Sequence, residues 1–335
     1  MKEIVLSGIR STGNLHIGNY FGALRNFIRM QDENNCFFFI ADLHSLTTHP
    51  DPINFHENVK TVLSEYLASG LDPEKSVIFV QSTVPEVSEL YTLMNMWSYV
   101  GELERTSSFK EKVRKHPNNV NAGLLTYPVL MATDILIHKA NKVPVGKDQE
   151  QHLEMARVFA RRFNNLYSVD FFPEPTAYNF GTELVKVPGL DGSGKMGKSE
   201  GNGIYLADDE KTIRKKVMKA VTDSGIAGPD APMSEPVQNL FTILQIVSDN
   251  DVVQFYTEKY KSGEIRYGDM KKQLADDICK VTLPIRERIL EIKSNEKYLN
   301  ETVRYGAEKA RASAAKTLAG VKEIMGFKWS FSGNL

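Results

Sequence analysis

Two short stretches hold the residue types that handle a polyphosphate. The first is His16-Ile17-Gly18-Asn19, inside a run from Ser7 to Phe27 that also carries Gly8, Gly13, Gly18 and Gly22. Ile4, Val5 and Leu6 before it read as a buried parallel strand, and Ala23, Leu24, Phe27 and Ile28 after it recur at helical spacing. The run is therefore a glycine-rich turn from strand to helix. Glycine permits close backbone approach, and the start of the helix offers N–H groups to an anion. Neither G-x-G-x-x-G nor G-x-x-x-x-G-K-[ST] fits this turn, so the imidazole and carboxamide point to a nucleotide site of another design. The second stretch is Gly194-Lys195-Met196-Gly197-Lys198-Ser199. Two lysines three apart in a glycine-rich loop can converge on phosphate oxygens as point charges while the loop closes.

These residues need a scaffold. Cys36 to Ala41 and Val77 to Val80 read as two further buried strands. Between them, Asp51-Pro52 supplies an N-cap and an N1 proline, Val59, Val62, Leu63, Tyr66 and Leu67 form an apolar stripe, and Gly70 closes the helix. Another helix starts at about Pro85. Such alternation predicts an α/β fold with a doubly wound parallel sheet. Ligands of such sheets sit beyond the strands' carboxyl ends, where Gly8, His16 and His44 fall.

The stretch from Thr106 to Asn121, with Lys110, Lys112, Arg114 and Lys115, reads as a mobile basic loop. A helix follows over Gly123 to Lys139, kinked or started at Pro128. Tyr127, Met131 and Asp134 share one face of it. That face is otherwise apolar, where a carboxylate is costly without a partner. The next element opens at Gly146-Lys147-Asp148-Gln149-Glu150-Gln151, with Asp148 and Gln151 at capping-box spacing. Leu184 to Val187 returns as a strand and leads into Pro188 to Gly194, which reads as too flexible to hold one shape without a ligand. From Asp208 to about Met325 the pattern is helical, broken near Gly225 to Pro232. The expected division is a nucleotide-binding unit over 1–105 and 183–205, a connective insertion over 106–182, and a helical domain over 206–335.

Composition bounds the rest. The 335 residues carry 41 basic and 42 acidic side chains, a net charge of −1, so no global field favours nucleic acid and DNA is not an expected partner. A nucleic-acid partner would need a local patch. Two cysteines, Cys36 and Cys279, make no disulfide framework and fit a reducing compartment. Met1 leads straight into the first strand, and no apolar run approaches a membrane span, so a cytoplasmic protein without a membrane partner is expected. The seven histidines show no metal-ligand spacing; His44, His49 and His56 read as scattered.

The order and spacing of these stretches resemble the class I aminoacyl-tRNA synthetases. Gly8 to Asn19 resembles the H-I-G-H signature, and Lys195 to Ser199 resembles K-M-S-K-S. Within that class, Gly101 to Arg105 with Phe109 to Lys112, Ala122 to Asp134, Val143 to His152, and Ala220 to Ser224 are similar to the tryptophanyl branch. The resemblance covers most of the chain. It departs at Asn19 for the last histidine (common in that branch), at Ser11 for a proline, and at Gly197 for a serine, which should loosen the loop.

The resemblance implies a Rossmann-like catalytic unit that makes tryptophanyl-adenylate from ATP and L-tryptophan, then charges tRNA(Trp). It implies His16, Asn19, Lys112, Lys195 and Lys198 as catalytic. Arg10, Ser11, Thr12, Gly18, Gly146, Lys147, Asp148, Val187, Met196, Gly197 and Ser199 would complete the ATP site. Gly8, His44, Tyr127, Met131, Asp134, Val143, Val145 and Gln149 would line the tryptophan pocket. Indole has a flat apolar body and one N–H donor, so Asp134 is its natural acceptor and Met131 packs the ring. Mg²⁺ would ride on ATP phosphates, with no protein metal site. Lys211, Arg214, Lys215, Lys216 and Lys219 cluster after the lysine loop, where a solvated face and a tRNA contact are not distinguishable. The resemblance also implies a homodimer, with about Thr106 to Gly181 helping form the interface. Tyrosine as substrate, and a non-catalytic sensor suggested by Asn19 and Gly197, are the competing readings.

Overall fold

Side chains alternate across the sheet, and both faces are covered by helices. In β1 (Ile4–Arg10) Val5 enters one core and Leu6 the other. In β2 (Asn35–Ala41) Cys36, Phe38 and Ile40 face the first core, and Phe39 and Ala41 the second. In β3 (Val77–Val80) Ile78 and Val80 join the first, and Phe79 the second. This period of two on strands buried on both faces explains their continuous apolar sequences. Two short strands, β4 (Lys142–Val143) and β5 (Thr176–Ala177), complete a parallel sheet in the order β3-β2-β1-β4-β5. The computed structural model describes residues 2–115, 117–146, 150–178, 186–197, 200–223 and 232–328.

The helix after β1 is not uniform. It runs through α1 (Ile17–Asn19), a π-helical turn (Tyr20–Leu24) and α2 (Arg25–Glu33). A π turn widens the helix and is often found at functional sites. After β2 come α3 (Asp42–Ser45) and α4 (Pro52–Ser69). Asp51 caps α4 through Ile53 N–H, Pro52 is the first helical residue, and Gly70 ends it in the left-handed region at φ 116°. Phe27 of α2 stacks on Phe38 with ring centroids 4.6 Å apart. Burying one such ring contributes roughly 1.5–3 kcal/mol.

On the other face lie α5 (Pro85–Asn95), α6 (Val100–Leu103), α7 (Ser107–Lys115), α8 (Ala122–Ile137) and α9 (Glu150–Tyr167). The basic stretch expected to be a loop thus contains a helix, α7. The reason is a long-range contact: Ser107 N–H and Oγ both donate to Gln151 Oε1 at 3.1 and 2.7 Å, and Ser108 Oγ meets His152 Nε2 at 2.9 Å. Gln151 therefore serves α7; its expected capping partner Asp148 lies outside the described residues. Pro128 sits inside α8, which starts at Asn121, its N-cap, so it is not the helix start.

The strand expected at Leu184 to Val187 falls partly outside the described residues. Leu184 and Val185 lie outside the described residues, and Lys186 and Val187 carry no strand pairing. The remaining helices are α10 (Glu210–Met218), α11 (Glu235–Val247), α12 (Asn250–Lys261), α13 (Tyr267–Ser294) and α14 (Glu296–Ile324). The first core is continuous from β1 and α4 into α11 and α13. In contrast α14 returns to the second core through Ala310, Ala314, Leu318 and Val321. Its Gly306 crosses β3 so closely that an added Cβ would lie 1.7 Å from the Ile78 carbonyl oxygen.

Candidate active site

The sheet order reverses between β1 and β4, and the carboxyl ends of parallel strands leave a crevice at such a switch. A cavity of about 880 Å³ occupies that place, bounded by Gly8 and Arg10 of β1 and by Val143 and Val145 at β4. Its other walls include His44, Lys112, Tyr127, Met131, Asp134 and Gly146. The predicted face of α8 therefore does look into the cavity. Lys147, Asp148 and Gln149 lie outside the described residues.

Asp134 is 3 % exposed and deep among apolar neighbours. Its Oδ2 lies 2.8 Å from His44 Nε2, so facing an ionised carboxylate that nitrogen carries the proton. Gln81 Nε2 donates to Oδ1 at 2.8 Å and to Oδ2 at 3.0 Å. Burial pushes the Asp134 carboxyl above the usual range, and the His44 and Gln81 hydrogen bonds oppose it. His44 is thus not a scattered histidine but a partner of Asp134. Gly8 is needed for packing as well: an added Cβ would meet the Phe39 ring at 2.6 Å.

The lining also holds two cations, Arg10 and Lys112, with the acidic Glu111 beside Lys112. Arg10 reaches Thr48 Oγ1 at 3.2 Å, and burial lowers its pKa. Lys112 Nζ sits 3.7 Å from the centre of the Tyr127 ring. Burial, with Arg10's charge adding, brings the Lys112 ammonium down to about 8. Tyr127 Oη hydrogen-bonds His152 Nε2, and that ring in turn meets Ser108. An anion arriving near Arg10 and Lys112 would favour the charged forms of two partly desolvated cations.

His16, Asn19 and the described part of the lysine loop are not among the residues that line this cavity. They are joined to each other by backbone pairing. Ile17 N–H donates to Ile204 O and Leu206 N–H to Leu15 O, both at 2.9 Å, in a bridge between His16 and Tyr205. His16 caps α1 reciprocally with Asn19: His16 N–H donates to Asn19 Oδ1 at 3.1 Å, and Asn19 N–H to His16 Nδ1 at 3.3 Å. Because Nδ1 accepts, the neutral ring carries its proton on Nε2. Gly18 permits this turn, since a Cβ there would meet His16 Nδ1 at 2.7 Å and Val187 Cβ at 3.5 Å. Ser11 is buried with its N–H and Oγ both 3.1 Å from Ser45 Oγ, while Thr12 is exposed.

Over its described residues, 188–197, the glycine-rich loop carries a network of side-chain hydrogen bonds. Asn202, 6 % exposed, donates through Nδ2 to Ser193 Oγ at 2.9 Å, Asp191 Oδ1 at 3.0 Å and Lys195 O at 3.2 Å. Its Oδ1 accepts from Gly197 N–H at 3.0 Å, so the glycine expected to loosen the loop is itself pinned. Asn239 of α11 donates to the Gly192 and Ser193 carbonyls at 3.0 and 3.1 Å. Met196 and Val187 are buried in the first core, and Lys195 is exposed. Lys198 and Ser199 lie outside the described residues. Of the basic cluster on α10, Arg214 is paired with Glu210 and Asp276, and Lys216 with Asp208 and the Gly203 carbonyl. Lys211, Lys215 and Lys219 remain exposed.

Residues 2–282 match the family of class I tRNA synthetases (W and Y). The chain is also 67 % identical over 326 residues, 97 % of its length and 100 % of the relative's, to tryptophan–tRNA ligase of Porphyromonas gingivalis. It belongs to the class I aminoacyl-tRNA synthetases, in the tryptophanyl branch. Among solved structures it resembles tryptophanyl-tRNA synthetase of Campylobacter jejuni, determined with ADP and tryptophan. There the TM-score is 0.86 at 36 % identity, covering 97 % of this chain and 100 % of that one. The synthetase of Mycoplasma pneumoniae gives 0.79 at 31 % identity, covering 98 % of each chain.

Gln81, Asn202 and Asn239 of this synthetase are not among the expected site residues. Gln81 follows β3 directly, so the same carboxyl-end rule that selected His44 could have found it. Asn202 and Asn239 carry no such signal, because each acts through loop carbonyls that only the fold brings near. Among the described residues no group of three or more His, Cys, Asp or Glu side chains could hold a metal, and no helix is long and apolar enough to cross a membrane.

Proposed function

We propose that this chain activates L-tryptophan with ATP in the cavity and passes the aminoacyl group to tRNA(Trp). One observation carries the reading: a buried carboxylate, Asp134, lines a largely apolar cavity whose lining also holds Arg10 and Lys112. An indole N–H meets Asp134 while Met131 and Val143 pack its ring, and the amino acid's carboxylate then lies toward the nucleotide side. That carboxylate attacks the α-phosphorus; the new C–O–P bond forms as the bond to the β-phosphate breaks, and pyrophosphate carries away the electron pair. A terminal ribose hydroxyl of the tRNA then attacks the carbonyl and AMP leaves.

Neither step needs a protein nucleophile. Catalysis is positioning and charge stabilisation. His16 Nε2–H and the Asn19 carboxamide donate near the α-phosphate, and Arg10, Lys112, Lys195 and Lys198 neutralise the departing pyrophosphate. Gly146, Lys147 and Asp148 hold the ribose. Mg²⁺ arrives on ATP oxygens and waters, as a hard cation bound through substrate phosphates does.

A homodimer in the cytoplasm completes the proposal. Met96, Tyr99, Val100 and Leu166 are 57–73 % exposed. Arg162 ties this surface together, bonding the Trp97 carbonyl and Glu102 and lying over the Tyr99 ring. A second copy would cover these apolar side chains. Tryptophan-dependent exchange of pyrophosphate into ATP, followed by charging of tRNA(Trp), tests the activity. Exchange supported by tyrosine instead would reverse the assignment.

A further inference from the structure

We propose that Gln81 is a positioning residue for substrate choice, fixing the Asp134 carboxylate as an acceptor aimed at the indole N–H; this rests on the reading of Asp134 given above. Gln81 is fully buried. Its carboxamide orientation is determined by both ends: Oε1 accepts from His44 N–H at 3.4 Å, and Nε2 donates to both Asp134 oxygens. Flipping the amide would set its oxygen against a carboxylate and its NH₂ against an N–H donor. The residue is itself held, because Asp42 Oδ1 accepts from Ser82 N–H at 2.9 Å and from Leu43 N–H at 3.0 Å. Two segments thus converge on the carboxylate near the end of α8: α3 after β2, and the turn after β3.

The physical consequence is directional. A buried carboxylate free to rotate or protonate would accept equally from water, a phenol or nothing. Gln81 and His44 occupy part of its lone-pair capacity and oppose the protonation that burial favours, leaving one acceptor direction for substrate. The charged and titratable groups facing Asp134 are His44 and Asp42 on α3; Gln81 is the neutral donor among them.

Gln81→Met keeps volume and removes the donor, and Gln81→Glu keeps shape and replaces NH₂ by oxygen. Pyrophosphate exchange is measured with tryptophan and phenylalanine, at several pH values, alongside the KM for ATP. Losing hydrogen bonds to a charged group predicts a roughly 10- to 100-fold rise in tryptophan KM for Gln81→Met, with ATP KM unchanged. Discrimination against phenylalanine shrinks by a similar factor. In Gln81→Glu two facing carboxylates share a proton, so tryptophan KM improves as pH falls from 8 toward 6, a trend absent from the parent. Unchanged tryptophan KM in both variants, or equal losses for tryptophan and ATP, overturns the role of Gln81. If Asp134→Ala keeps full tryptophan selectivity, the reading beneath it fails, and this inference with it.

Discussion

Replacing Asn202 by alanine should release the lysine loop. Its carboxamide binds Asp191, Ser193 and the Lys195 carbonyl, and accepts from Gly197 N–H. Two N–H donors and one oxygen amount to about three hydrogen bonds, one of them to a charged group, for a gross contribution of about 4 kcal/mol. Asp191, Ser193 and Lys195 are exposed and can turn to water, so about half of that is recovered. A net loss of about 2 kcal/mol in holding the loop corresponds to about 30-fold in the population of its working form. The kcat/KM for ATP in tryptophan-dependent exchange should fall about 30-fold, while tryptophan binding by calorimetry stays within about twofold. Asn202→Asp should not rescue, because it places a second carboxylate beside Asp191. An ATP kcat/KM within twofold of the parent would refute the reasoning.

Lys112 is charged below about pH 8 and neutral above it. If it neutralises ATP phosphates, kcat/KM for ATP should be level at lower pH and decline as pH rises through about 8, because this ratio reports the free enzyme. Lys112→Arg should move that decline beyond the measurable range; a parent profile level to pH 9 contradicts the role. At Gly306, alanine would ordinarily favour a helix by about 1 kcal/mol, yet here its Cβ lies 1.7 Å from the Ile78 carbonyl oxygen. Overpacking by roughly 1–3 kcal/mol or more should lower the thermal midpoint. Gly268→Ala in α13, with nothing within 4 Å, should not lower it.

The strands and caps near the amino terminus were legible because local signals agree there. Asp51, Pro52 and Gly70 mark α4, and the apolar runs at Cys36 and Val77 mark β2 and β3. The face of α8 was legible from spacing alone, and Asp134 from the physical cost of its burial. What stayed hidden depends on long-range partners. Polar α7 forms against Gln151 and His152, and strands of two residues such as β4 leave no periodicity to read. The ordering of the glycine-rich loop comes from Asn202 behind it and Asn239 on a distant helix, neither predictable from the loop's own composition.

Selection by Asp134 would run through one N–H of the substrate. The most direct measurement compares tryptophan with an analogue carrying sulfur in place of the indole nitrogen, of nearly the same shape but without the donor. A site built around that hydrogen bond should reject the analogue by roughly 10⁴-fold in kcat/KM, and Asp134→Ala should erase most of the difference. Comparable kcat/KM for the two substrates in the parent enzyme would contradict the account.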